Sequence, residues 1–232
     1  MAERPPAERC GPGSSRPSVR GKFLFAGDEK LYVKGVSYGA FQPDSAGQEY
    51  HDLDVINRDF ALMAESGINA VRIPHTMPPR SLLDAAQNHG LKVMVGLSAE
   101  QYAGYLADRN NAPDLERVVR SKVAAVAGHP AILCYALGNE IQPPLARWLG
   151  RRTIEGYLER LYDAVKDTDP GGLVTYVNYP TTEYLDLPFL DLLAFNVYLE
   201  RPEQVFEYCE ATLQDEYETI RSPKPALLPI LR

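Results

Sequence analysis

The stretch Ala131-Ile-Leu-Cys-Tyr-Ala-Leu-Gly-Asn-Glu140 decides the fold of this chain. Seven apolar residues in succession end abruptly in Gly138, Asn139 and a carboxylate. An uninterrupted apolar run is typical of a strand that is buried on both faces, as in a parallel sheet. The change to polar residues marks the carboxyl end of that strand, where α/β barrels place their catalytic groups. We therefore predict that Glu140 is catalytic; a glutamate that caps a helix or pairs with an arginine is the alternative.

Helical and strand patterns alternate along the rest of the chain. Helices are predicted over 54–66, 81–90, 114–128, 153–167 and 202–220. Strands are predicted over 34–39, 69–74, 92–97, 131–137, 173–177 and 192–197, and a seventh begins at Ala226. The helical segments have apolar residues every three or four positions, and several end at a glycine. This alternation indicates βαβ units and a parallel sheet.

A doubly wound open sheet and a (β/α)8 barrel both fit this alternation. The first strand, Gly35-Val-Ser-Tyr-Gly39, lacks the dinucleotide-binding fingerprint, and no Lys-Ser/Thr phosphate loop occurs in the sequence. Polar or aromatic residues instead lie at several strand ends: Tyr38, Arg72, Asn139 with Glu140, Asn178, and Asn196 with Tyr198. Functional residues from many strand ends are typical of the TIM barrel, which is the predicted fold.

Composition excludes several classes of partner. The chain has 232 residues, 45% of them hydrophobic and 24% charged, as in one globular domain. A net charge of -7 with scattered basic residues argues against nucleic-acid binding. Because no apolar run reaches about 18 residues and no signal-peptide core is present, we expect a soluble cytoplasmic protein without a membrane partner. Cysteines and histidines lack ligand spacing, so neither a metal nor another cofactor is predicted.

The start of the chain has a different composition. Residues 1–20 are rich in Pro, Gly, Ser and Arg without hydrophobic periodicity, so this segment is predicted to be disordered. Residues 21–232 are predicted to form the folded domain. The domain opens with a short β-hairpin, in which Phe23-Leu-Phe and Leu31-Tyr-Val flank a Gly27-Asp28 turn.

These features together resemble the clan A glycoside hydrolases, which are retaining (β/α)8 β-glycosidases, and most closely the barrel domain of family 2. The resemblance rests on Lys34-Gly-Val-Ser-Tyr after the hairpin, Gly67-Ile-Asn-Ala-Val-Arg72, Gly128-His-Pro-Ala-Ile through Gly138-Asn-Glu140, and Phe195-Asn-Val-Tyr198. The His-Pro start and Gly-Asn-Glu finish of one strand are its most specific part. The resemblance implies that residues 21–232 are a glycoside hydrolase-like barrel domain with a β-linked carbohydrate as substrate.

The resemblance also implies a role for each strand-end residue. Glu140 would be the acid/base, which in a retaining enzyme faces a carboxylate nucleophile about 5 Å away. Asn139 resembles the residue that binds the sugar 2-hydroxyl, and Arg72 and Tyr198 resemble the pair that orients the nucleophile. Asn178 is a further predicted substrate-binding residue. The alternatives are turn contacts for both asparagines, an ion pair for Arg72 and a core position for Tyr198.

The sequence departs from the family pattern after Pro225. The family places its nucleophile after Lys-Pro and several apolar residues, as Glu followed by Gly. This chain reads Lys224-Pro-Ala-Leu-Leu-Pro-Ile-Leu-Arg232, and the nucleophile's place falls near Ile230. We expect a truncated barrel of seven strands with impaired activity; a non-catalytic carbohydrate-binding or regulatory remnant is the alternative. A frameshift, an alternative exon or a gene-model error would explain the departure.

The incomplete barrel has a consequence for stability. An open barrel exposes two sheet edges, so the chain is expected to be poorly stable alone or to associate with a partner that covers the open edge.

Three other residues are considered for the site. Glu100 and Glu183 also follow predicted strands, but neither lies where the family has its nucleophile. Trp148, the sole tryptophan, is predicted to pack between helices, with a sugar subsite as the alternative.

Overall fold

A small antiparallel sheet precedes the main body of the protein. The computed structural model describes residues 15–107, 113–199, 201, 203–208, 210 and 225–227. Strands β1 (Pro17–Arg20), β2 (Phe23–Ala26) and β3 (Glu29–Lys30) pair in the order β1-β2-β3. Gly27 makes the β2–β3 turn with a φ of 65°, a left-handed conformation that glycine adopts without steric cost. The predicted hairpin is therefore confirmed.

Seven parallel strands form the main sheet, in the order β10-β9-β8-β7-β6-β5-β4. They are β4 (Gly35–Ser37), β5 (Ala70–Ile73), β6 (Lys92–Gly96), β7 (Ile132–Asn139), β8 (Val174–Asn178), β9 (Leu193–Phe195) and β10 (Ala226–Leu227). Each strand pairs in parallel with its successor along the chain. This order confirms the predicted βαβ alternation and brings the carboxyl ends of all the strands to one side.

Helices connect these strands. They are α1 (Leu53–Glu65), α2 (Arg80–Asn88), α3 (Leu115–Ala124), α4 (Pro143–Leu149) and α5 (Arg151–Thr168), with 3₁₀ helices at Ala99–Ala107 and Pro180–Thr182. Residues 203–208 and 210 are also helical, and the rest of the helix predicted over 202–220 lies outside the described residues. Within the described ranges, no helix is both long and apolar enough to cross a membrane.

Side chains alternate between the two faces of the parallel sheet, because successive residues of a strand point to opposite sides. One face, which includes Ile73 and Val95, shares a hydrophobic cluster with the helices. The opposite face, which includes Met94 and Cys134, shares a second cluster with Leu24 of the antiparallel sheet. The small sheet therefore packs against part of the face of the main sheet that lies opposite the helices.

The structure differs from the sequence prediction over residues 15–20. Arg16 donates to both carboxylate oxygens of Asp169 at 2.7 Å, and Lys92 Nζ donates to the carbonyl of Ser15 at 2.9 Å. Val19 packs against the second cluster. These anchors lie far away in sequence, so composition alone predicts disorder where long-range contacts hold a strand. Residues 1–14 lie outside the described part of the chain, and the remaining domain boundaries stay a prediction.

Candidate active site

A hydrogen-bonded network of side chains lies at the carboxyl ends of β5, β7 and β9. Arg72 of β5 donates from Nη2 to Asn139 Oδ1 at 2.6 Å and from Nη1 to Asn196 Oδ1 at 3.2 Å. Asn196 Nδ2 donates to Asn139 Oδ1 at 2.9 Å and to Glu140 Oε1. Tyr198 donates its hydroxyl hydrogen to the same Glu140 oxygen at 2.5 Å. Four predicted site residues thus meet in one network through Asn196.

Arg72 is the buried cation of this network. Only 8% of the residue is exposed, and burial lowers its pKa while the nearby Glu140 acts in the opposite direction. Its two side-chain hydrogen bonds go to the amide oxygens of Asn139 and Asn196. Both partners are neutral amides, and no carboxylate is hydrogen-bonded to Arg72 among the described residues. The positive charge of the guanidinium is therefore not neutralised by a direct ion pair.

The network leaves two polar atoms available to a ligand. Asn139 Oδ1 accepts two hydrogen bonds, and Glu140 Oε1 accepts two more. Within the described part of the chain, Asn139 Nδ2 and Glu140 Oε2 have no hydrogen-bond partner. One donor and one carboxylate oxygen, both on half-buried residues at the end of β7, are therefore left without a protein partner in the described part of the chain.

Tyr198 contacts the predicted acid/base. Its phenol donates a hydrogen bond to Glu140, and the implied role of Arg72 and Tyr198 in orienting a nucleophile stays a prediction. Burial and the hydrogen bond to Glu140 raise the pKa of Tyr198 to about 12, so the phenol keeps its proton near neutral pH. The residue is 49% exposed, which contradicts the alternative of a core tyrosine.

Asn178 lies outside the network. Its Oδ1 accepts hydrogen bonds from the backbone N–H of Tyr179 at 2.9 Å and from Thr182 Oγ1 at 2.7 Å. These contacts lie beside the 3₁₀ helix Pro180–Thr182, in agreement with the alternative of a turn contact. A substrate-binding role for Asn178 stays a prediction. Asn196 takes the central position instead; its signal in the sequence is a strand-end asparagine two residues before Tyr198.

The other two carboxylates after predicted strands have hydrogen-bond partners of their own. Glu100 Oε2 accepts the backbone N–H of Asn139 at 3.0 Å, and Glu183 accepts a hydrogen bond from the hydroxyl of Tyr208. Burial raises the pKa of Glu183. The position of Ile230, where the family has its nucleophile, lies outside the described residues. Trp148 is 71% exposed, so the prediction that it packs between helices is wrong.

Comparison with known proteins places this geometry in a family. The chain is 26% identical over 185 residues to a β-glucuronidase from Chlorocebus aethiops, a match that covers 76% of this chain and 26% of that protein. It is 25% identical over 129 residues to the 1,3-beta-glucanosyltransferase gel1 from Aspergillus fumigatus, covering 53% of this chain and 28% of that protein. The chain thus spans little more than a quarter of the length of these relatives.

A solved structure shows the same fold. The β-galacturonidase from Eisenbergiella tayi bound to galacturonate superposes with a TM-score of 0.72 at 17% identity, covering 93% of this chain and 38% of that one. A family model described as "Glycosyl hydrolases family 2, TIM barrel domain" matches residues 18–228. These matches confirm the predicted TIM-barrel class. The chain therefore belongs to the TIM barrel domain family of the family 2 glycosyl hydrolases.

Proposed function

We propose that this domain cleaves the O-glycosidic bond of a β-linked carbohydrate by a retaining mechanism, with Glu140 as the acid/base. The observation that carries this proposal is the end of β7, where Glu140 Oε2 and Asn139 Nδ2 have no partner among the described residues. A glycosidase needs a carboxylic acid that reaches the leaving oxygen and a donor that binds the sugar beside it.

The two oxygens of Glu140 have different roles: Oε2 exchanges the proton, and Oε1 accepts hydrogen bonds from the protein. In the first step, Oε2 gives its proton to the departing glycosidic oxygen while a carboxylate nucleophile bonds to the anomeric carbon and the glycosidic bond breaks. In the second step, the Glu140 carboxylate takes a proton from water as that water bonds to the anomeric carbon and displaces the nucleophile. Hydrogen bonds from Asn196 and Tyr198 to Oε1 hold the carboxyl group in place, so Oε2 is the oxygen that exchanges the proton.

Asn139 has a fixed orientation that suits it to bind a sugar hydroxyl. Its Oδ1 is occupied by Arg72 and Asn196, so Nδ2 is the atom presented to the ligand. We propose that Nδ2 donates to the sugar 2-hydroxyl, a contact that strengthens in the transition state. Arg72 contributes indirectly, by holding the Asn139 amide and by adding positive potential beside Glu140.

The substrate class is proposed from the relatives. Because relatives in sequence are named β-glucuronidases, an aryl β-glucuronide is the first substrate to test. The match to a 1,3-beta-glucanosyltransferase makes an aryl β-glucoside the second.

We propose that this polypeptide turns substrate over poorly. None of the residues from 224 to 232 is Asp or Glu, so the family position of the nucleophile has no carboxylate. This observation also favours the second candidate function, a non-catalytic carbohydrate-binding or regulatory domain that keeps a sugar cleft. An external nucleophile separates the two candidates, because azide or formate can attack the anomeric carbon where the protein's own carboxylate is missing.

The test compares aryl β-glycosides with good and poor leaving groups in the presence of azide. Only a poor leaving group needs a proton from Glu140, so Glu140→Gln should slow its release by about 100-fold or more and leave the activated substrate nearly unchanged. Glu65→Gln on the exposed face of α1 is the matched control. Saturable sugar binding without azide-supported cleavage would support the remnant, and equal rates for wild type and Glu140→Gln on both substrates would refute the acid/base role.

A partner that covers the open sheet edge is also proposed. All three residues of β4 are exposed, and β4 is the last strand of the described sheet. Unpaired backbone groups on such an edge favour pairing with another chain. Light scattering over a range of protein concentrations measures this association, and a monomer at every concentration would argue against self-association.

A further inference from the structure

Glu140 has an unusual backbone conformation. Its φ is 52°, in the left-handed region that side chains other than glycine rarely adopt. Such conformations are unfavourable for a residue with a Cβ atom and persist only where surrounding contacts hold them. The conformation turns the chain sharply at the end of β7 and so determines where the Glu140 carboxylate points.

Three successive backbone N–H groups hold this turn. The N–H of Asn139 donates to Glu100 Oε2 at 3.0 Å, and the N–H of Glu140 donates to the carbonyl of Val177 at 3.0 Å. The N–H of Ile141 donates to the hydroxyl of Tyr176 at 2.8 Å. The middle bond continues the sheet pairing between β7 and β8, whereas the outer two use side chains that substitution can remove.

Glu100 reaches this position because residue 138 is a glycine. A Cβ atom at Gly138 would lie 2.9 Å from Glu100 Oε2 and 3.1 Å from the Glu100 backbone nitrogen. Both distances are closer than side-chain carbons normally approach. The glycine of the Gly138-Asn139-Glu140 motif therefore makes room for Glu100. The segment of Glu100 is itself anchored, because Tyr157 donates to the carbonyl of Ala99 at 2.8 Å.

Tyr176 is suited to hold the other side of the turn. It lies on β8, next to β7, and is 1% exposed. Burial raises the pKa of its phenol, so the hydroxyl stays neutral and serves as the acceptor for Ile141. Neither Tyr176 nor Glu100 hydrogen-bonds the Glu140 carboxylate among the described residues, so both act through the backbone.

We propose that Glu100 and Tyr176 are positioning residues that hold Glu140 in its left-handed conformation through the N–H groups of Asn139 and Ile141. The consequence for catalysis rests on the proposed function, in which Glu140 is the acid/base. The effect on the backbone at residues 139–141 does not depend on the proposed function. The backbone effect and the catalytic effect are therefore measured separately.

The first measurement is amide hydrogen exchange in the full chain. Glu100→Ala should raise exchange at Asn139, and Tyr176→Phe should raise it at Ile141, each by about tenfold as one hydrogen bond is lost. Glu100→Gln should restore protection, since its amide oxygen can accept the same bond. Tyr135→Phe is the matched control: it removes the hydroxyl of another buried tyrosine, hydrogen-bonded to Asp169. Unchanged exchange at Asn139 and Ile141 would overturn the proposal.

The second measurement is the ratio of azide-supported rates for a poor and an activated leaving group. Glu100→Ala and Tyr176→Phe should lower this ratio by about tenfold without changing KM, because only proton transfer requires an aligned Glu140. Glu100→Gln and Tyr135→Phe should leave the ratio near the wild-type value. If Glu140→Gln lowers the ratio but Glu100→Ala and Tyr176→Phe do not, the positioning role is refuted and the acid/base role survives.

A third measurement applies if the wild type has no glycosidase activity, a result that would reject the proposed function but not the positioning role. If the wild type cleaves neither substrate, the variants are compared by their affinity for a cationic iminosugar, whose ammonium group pairs with the Glu140 carboxylate. A loss of about tenfold in Glu100→Ala and Tyr176→Phe, with wild-type affinity in Tyr135→Phe, supports positioning of Glu140 in a binding site. Equal affinity in all four proteins overturns it.

Discussion

Replacing Asp169 by asparagine removes the negative charge that attaches residues 15–20 to the end of helix α5. The two oxygens of Asp169 accept hydrogen bonds from Arg16 at 2.7 Å, and Oδ2 also accepts the hydroxyl of Tyr135 at 2.8 Å and the N–H of Gly128 at 3.2 Å. Asparagine has nearly the same shape but only one acceptor oxygen. The substitution therefore tests the charge and the second acceptor with little change in volume.

The expected magnitude follows from the burial of the two charges. Removing one partner of a buried ion pair costs about 3–5 kcal/mol, because the other charge is left uncompensated. The Asp169 side chain is 5% exposed but that of Arg16 is 24% exposed, so water partly solvates the guanidinium that remains. We therefore expect a loss of about 2–3 kcal/mol in the free energy of unfolding at pH 7. For a chain of this length, the melting temperature should fall by roughly 4–12 °C.

The same carboxylate makes the stability depend on pH. Burial opposes its ionisation, but hydrogen bonds from Arg16, Tyr135 and Gly128 outweigh burial, and the pKa of Asp169 lies below its ordinary value of 3.8. As pH falls, the unfolded chain therefore binds the proton first. The stabilisation is present above the ordinary carboxyl pKa and is lost as pH falls through the lowered pKa of the folded state. Wild type and Asp169→Asn should converge in stability at acid pH.

Urea denaturation followed by circular dichroism, at pH 7 and at several acid values, measures both effects. Asp167→Asn is the control, since Asp167 pairs with Arg120 at the protein surface and its removal should change stability little. A loss of less than about 0.5 kcal/mol in Asp169→Asn at pH 7 would refute the reasoning, because that is the usual range for surface substitutions. An unchanged difference from wild type at acid pH would refute the assigned pKa direction.

Two further substitutions test the sheet and the site. Gly96→Ala should destabilise the protein by about 2 kcal/mol or more in urea denaturation, because its Cβ atom would overlap the backbone carbonyl of Pro74. Gly104→Ala is the control, since nothing lies within 4 Å of the added Cβ atom. Equal stability of the two variants would contradict this packing. Asn196→Ala should cost about 1–3 kcal/mol in the same assay and weaken sugar binding measured by calorimetry, because it leaves a buried donor of Arg72 unpaired. Wild-type stability and affinity would show that the network does not depend on Asn196.

Local patterns in the sequence determined most of the secondary structure. The apolar run after Pro130 predicts a buried strand, and the structure has β7 at Ile132–Asn139. The helix predicted over 153–167 is α5, Arg151–Thr168. The sequence did not predict α4, Pro143–Leu149, because seven residues that begin with two prolines are too short to show helical periodicity. Strand β1 was also missed, because its anchors lie more than 70 positions away.

For the candidate site, the sequence indicated which residues to consider, and the tertiary structure decided which of them are in contact. The strand ends in the sequence indicated seven residues, because the carboxyl ends of parallel strands share one side of a sheet: Tyr38, Arg72, Asn139, Glu140, Asn178, Asn196 and Tyr198. Only the tertiary structure decided which atoms meet: the side-chain bonds of the network join residues between 56 and 124 positions apart. Such pairings depend on strand order, register and the direction of each side chain. A local pattern encodes none of these, so the contact of Tyr198 with Glu140 and the approach of Glu100 to Gly138 appear only in the folded chain.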